Sequence, residues 1–108
     1  MNDTLRPALL SLHRALVDSE RRAYEKIHGR LENGEFLQAL VRDPELAWLA
    51  PLTALVARFD ETGESKELRA LLRGESGEFA RHYAERREAS PDVAFAHAAA
   101  LYALKTLH

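Results

Sequence analysis

The chain has 108 residues, no cysteine, 46% hydrophobic and 30% charged residues, and a formal net charge of -2. That composition fits one globular domain with a real core, covering residues 1–108, and not a disordered tail. Near-balanced charge argues against a nucleic-acid binder that depends on phosphate neutralisation, and the lack of cysteine excludes disulfides, thiolate metal sites and a cysteine nucleophile.

The N-terminus reads MNDTLRPALLSLH, with no basic segment before an apolar run, so it is not read as a secretory signal. No apolar stretch approaches the roughly 18 residues of a membrane span. The cytoplasm is the expected setting by elimination, and no membrane partner is expected. Asn2, Asp3 and Thr4 can cap a first helix, in whose first turn Pro7 is tolerated. Leu5, Leu9, Leu12, Leu16, Ser19, Ala23 and Ile27 recur at spacings of three and four, which predicts one helix face running to His28. Gly29 supplies a stop.

Arg30 to Gly34 reads as a loop, followed by a short helix bearing Phe36, Leu37, Leu40 and Val41. Asp43-Pro44-Glu45 is a helix start, with Asp as cap, Pro in the first turn and an acid at the positive pole. Pro51 disfavours helical geometry at Ala50, so that turn is expected to end near Leu49. Trp48, between Pro44 and Pro51, is expected to anchor this irregular stretch on the core, whereas an exposed Trp would mark a binding hot spot. A helix with Leu52, Leu55, Val56 and Phe59 follows, and Gly63 sits in the turn after it.

Ser65 can cap a helix bearing Leu68, Leu71 and Leu72, which Gly74 and Gly77 break or bend. Phe79, Tyr83 and the charged run Arg81 to Glu88 continue as a more polar helix. Ser90-Pro91-Asp92 restarts the chain, and the last helix runs to about Leu107. No alternating β-branched run exists from which to build a sheet. Short connections between amphipathic helices imply an all-α antiparallel bundle of about five helices. The segments DPELAWLAPLTAL and SPDVAFAH resemble a group of small bacterial all-helical proteins. The resemblance implies a helical fold and transfers no activity or site.

The last helix is the most informative element. Residues 93 to 104 read VAFAHAAALYAL, with His97 and Tyr102 as the only polar side chains. A surface helix carries a polar stripe, and this one has none. It is expected either at the centre of the bundle or against a second copy of the chain. His97 lies in line with Ala94, Leu101 and Leu104. It reads as a neutral, hydrogen-bonded core group, or alternatively as a pocket's polar contact. His13, Glu20 and Tyr24 fall on one flank of the first helix, and there too a covered core edge competes with a polar pocket.

Glu25 and His28 make one Glu-x-x-His pair, but the second pair of a di-iron bundle is missing. The five histidines are His13, His28, His82, His97 and His108, and no two are three or four residues apart. No metal and no cofactor are therefore expected. Phosphate loops, nucleophile elbows and zinc motifs are absent, so no catalytic set can be named. Two functions remain as expectations. One is a non-enzymatic interaction or regulatory module, homodimeric or bound to another protein. The other is a binder of a small apolar ligand or cofactor between helices, touched by His97 or His13.

Overall fold

A computed structural model of the chain describes residues 5–73 and 77–106. The caps expected from Asn2, Asp3 and Thr4, the break at Gly74, and the end at Leu107 and His108 lie outside the described residues. Six α-helices occur among the described residues, against about five expected, and no strand. They are α1 (Leu5–His28), α2 (Asn33–Arg42), α3 (Ala50–Thr62), α4 (Lys66–Arg73), α5 (Glu78–Ala89) and α6 (Pro91–Thr106), with a 3-10 segment, Pro44–Leu49, before α3.

α1 follows the leucine spacing. Leu5, Leu9, Leu12, Leu16 and Ser19 are buried on one face, and α6 is the helix against which α1 packs most extensively. The stripe fails at its far end, where Ile27 is 76% exposed. Gly29, at φ 90°, closes α1 by donating its N–H to the Glu25 carbonyl at 2.8 Å.

The expected loop 30–34 is shorter, because α2 begins at Asn33. Glu35 explains this: its carboxylate accepts the Glu32 N–H at 2.9 Å and so fixes the helix start. Only Phe36 of α2 is buried, while Leu37 and Val41 face outward. Asp43 then serves two elements. Its N–H donates to the Ala39 carbonyl at 2.8 Å, ending α2, and its carboxylate accepts from Glu45 N at 2.9 Å, starting the 3-10 segment.

Ala50 departs from expectation. It is right-handed helical at φ -56°, ψ -42°, although Pro51 follows it. Pro51 occupies the first turn of α3, where its missing N–H has no intrahelical partner to lose, so the 3-10 segment runs into α3 without a break. Gly63, at φ 74°, ends α3 in the left-handed region that suits glycine. Ser90 separates α5 from α6, donating its N–H to the Arg86 carbonyl and accepting from Val93 N through its hydroxyl at 3.3 Å.

Buried residues of α1, the 3-10 segment and α3 to α6 form one hydrophobic cluster. Tyr83 and Trp48 are its largest polar-tipped members. The radius of gyration, 13.8 Å, is close to the roughly 13 Å of a packed chain this long. No described helix is long and apolar enough to cross a membrane.

Candidate functional site

α6 divides into two faces. Val93, Ala96, His97, Ala100, Ala103 and Leu104 are buried. Ala94, Phe95, Ala98, Ala99 and Tyr102 are exposed, Phe95 at 79% and Tyr102 at 69%. The expectation that this helix is central is therefore corrected on one side. The lack of a polar stripe arises because the outward face is itself apolar. Beside it lies a groove of 420 Å³, lined from α1 by Arg14, Asp18 and Arg22, by Ser90 before α6, and from the start of α6 by Asp92 and Phe95. Among the described residues, none of Arg14, Asp18, Arg22 and Asp92 is in an ion pair.

His97 sits on the inner face in a polar knot with α5. Tyr83 Oη lies 2.5 Å from His97 Nδ1, and Arg87 Nη1 lies 3.2 Å from Nε2. A guanidinium can only donate, so Nε2 offers its lone pair. The neutral ring then carries its proton on Nδ1 and donates it to Tyr83. The Arg87 guanidinium also lies over the Tyr83 ring, 5.2 Å from its centroid. Burial, aided by the Arg87 charge, pushes the His97 pKa down, which keeps the ring neutral. Burial likewise pushes the Tyr83 phenol up. His97 lines neither the groove beside the outward face nor the cavities between α1 and α3 and between α4 and α6.

The other candidates on α1 do not share a pocket. His13 lines a cavity of 230 Å³ between α1 and α3, with its Nε2 2.8 Å from Thr53 Oγ1. Glu20 accepts the Trp48 indole N–H at 3.1 Å and meets Arg86 at 3.5 Å. Trp48 in turn stacks on His82 and packs against Phe79. Tyr24 donates to the Asp43 carboxylate, and that bond holds Asp43 below the usual carboxylate range and raises Tyr24. The side chains of Glu20 and Tyr24 thus bind the 3-10 segment and its start to α1.

The Glu25 and His28 pair is also divided. Glu25 accepts from the Leu31 N–H at 2.9 Å and pairs with Arg21 at 3.3 Å, which lowers its pKa. His28 faces Glu45 at 3.5 Å. No three histidine, aspartate or glutamate side chains gather as a metal cluster among the described residues. A third cavity, of 340 Å³, lies between α4 and the end of α6, lined by Arg69, Arg73, Leu101, Leu104 and Lys105.

Several participants escape a sequence reading. Arg87 carries a weak signal, its i, i+4 spacing from Tyr83. Thr53 carries none, and Asp43 shows its cap but not its bond to Tyr24, since nothing local marks a partner on another helix. Comparison with known proteins returns no match, whether to a protein-family model, a curated protein or a solved structure.

Proposed function

We propose that the chain is a cytoplasmic, non-enzymatic interaction module that pairs with a second copy of itself through the outward face of α6, its helices arranged as an antiparallel bundle. The observation that carries this is the exposed run Ala94, Phe95, Ala98, Ala99 and Tyr102, which has no charged member. Small residues let two helices approach closely, and aromatic side chains at the centre of a patch supply most of an interface's binding energy. Phe95 and Tyr102 are two turns apart, so an antiparallel pair of α6 helices sets Phe95 of one copy across from Tyr102 of the other.

Area and charge favour the same occupant. A helix of 16 residues is about 24 Å long, and its face alone falls short of the roughly 800 Å² per partner that a stable dimer buries. The contact must extend over the neighbouring groove onto α1. There Arg14 and Arg22 accompany Asp18 and Asp92. Two cations and two carboxylates are self-complementary under two-fold symmetry, where each patch meets its own copy. α2 is a poorer candidate, because Glu35, Gln38 and Arg42 interrupt the patch formed by Leu37 and Val41.

Sedimentation equilibrium tests the proposal. The parent chain of 12.2 kDa is expected to sediment at twice that mass at tens of micromolar. Phe95→Asp should sediment as a monomer with its helical circular dichroism unchanged. A parent chain that stays monomeric at several hundred micromolar, or a Phe95→Asp variant that remains dimeric, refutes it.

A further inference from the structure

The hydrogen-bonding capacity of the cavity between α1 and α3 can be worked out atom by atom. Thr53 has one hydroxyl proton and donates it to the Leu49 carbonyl at 3.2 Å. Its oxygen therefore accepts from His13 Nε2, 2.8 Å away. A neutral His13 ring then holds its proton on Nε2 and leaves a lone pair on Nδ1. Burial favours that neutral ring. Nδ1 has no hydrogen-bond partner among the described residues. Arg6 and Asp60, which also line the cavity, satisfy each other at 2.8 Å. The remaining walls are apolar, from Leu9, Leu10, Val56, Ala57 and Phe59. The volume is 230 Å³, and an apolar cavity of roughly 150 Å³ is enough to admit benzene.

We propose that this cavity binds a small, mostly apolar molecule with one hydrogen-bond donor, seated on Leu9, Val56 and Phe59 and donating to His13 Nδ1. Indoles and phenols belong to that class. A pure hydrocarbon suits the walls but forms no bond with Nδ1. A molecule that can only accept sets one lone pair against another. The cavity shares no residue with the outward face of α6, so the site stands or falls separately from self-association.

Indole, indene and benzofuran have nearly the same outline, and only indole carries an N–H donor. Each is titrated at pH 7.5 into ¹⁵N-labelled full-length chain. Indole should shift the amides of Leu9, Thr53 and Phe59 saturably. It should bind about 3- to 10-fold more tightly than indene or benzofuran, the ratio expected from one net hydrogen bond. His13→Leu should erase that advantage while all three still bind. Ala57→Trp, at an exposed lining position, should fill the cavity and abolish binding of all three with the dichroism unchanged. Absence of a saturable indole shift at millimolar concentration overturns the proposal. So does equal affinity for indole and indene in the parent chain, a comparison that needs no variant to fold.

Discussion

The knot of Tyr83, His97 and Arg87 allows a sharp test, because Tyr83→Phe deletes one oxygen and leaves the packing volume almost unchanged. Tyr83 is fully buried and His97 nearly so. With Arg87 on Nε2, the ring proton lies on Nδ1 and donates to Tyr83 Oη. The phenylalanine variant strands that N–H where water has little access, and it also removes a buried Tyr83 O–H whose proton has no acceptor among the described residues. A buried donor left without a partner costs about 1–3 kcal/mol, and the second change offsets part of that cost. Total stability of a small domain is only about 5–15 kcal/mol, and each kcal/mol moves the melting temperature of a domain this long by roughly 4 °C. A drop of up to about 12 °C is therefore expected in a thermal melt followed by circular dichroism. Removing both partners strands neither, so Tyr83→Phe with His97→Leu should cost less than the sum of the single changes. The coupling expected for contacting residues is about 0.5–3 kcal/mol. Strict additivity in the cycle would refute the hydrogen bond and the tautomer. Imidazole ¹⁵N shifts that place the proton on Nε2 would do so independently.

Two further outcomes follow from burial. Ala100 is fully buried on the inner face of α6, so Ala100→Phe should destabilise by roughly 1–3 kcal/mol through overpacking; chemical denaturation checks it, and a fully stable variant would mean that α6 is loosely packed. Stability should also decline as the pH falls below 6.5, the ordinary histidine value, because burial lowers the pKa of both His13 and His97. In that window the unfolded chain takes up protons that the folded chain refuses, so acid favours unfolding, and the loss is complete once pH is below the folded values. Asp43 and Glu25 are lowered too, from 3.8 and 4.5, and their contribution is lost only at more acidic pH. Denaturation midpoints that do not change between pH 7.5 and pH 5.5 would contradict the histidine part.

Local signals made most of the helix boundaries readable from the chain alone. The leucines of α1, the caps at Asp43 and Ser90, and the stops at Gly29 and Gly63 act through neighbours within a few residues. Pairings across the fold were not readable, because spacing says nothing about distant helices. His13 meets Thr53 forty residues away, and Trp48 meets Glu20 at a separation of twenty-eight. The shared flank of His13, Glu20 and Tyr24 was readable, but the absence of a common pocket has a simple cause. Eleven helical residues extend about 16 Å, farther than one small cavity reaches, so each side chain finds its own partner. The outward turn of Ile27, Leu37 and Val41 was also hidden. Periodicity marks a stripe without saying where along the helix the opposing element ends.

α6 carries the most consequential ambiguity. Both of its faces are apolar, so its sequence gives no phase by which to orient it. Burial is decided by what stands opposite. Tyr83 and Arg87 on α5 offer His97 its partners, and the leucine face of α1 lies along the longest contact of the fold. Those requirements fix His97, Ala100 and Leu104 inside and thereby turn Phe95 and Tyr102 out. The same rotation separates two roles on one helix. Inner substitutions such as Ala100→Phe act on folding, through packing density. Outer ones such as Phe95→Asp remove apolar surface that water already reaches in the single chain, so they leave folding nearly untouched and bear on the proposed association alone. Had α6 been central on all sides, every substitution along it would have lowered stability alike. The division of α6 into two faces thus lets folding and the proposed self-association be tested independently in one small chain.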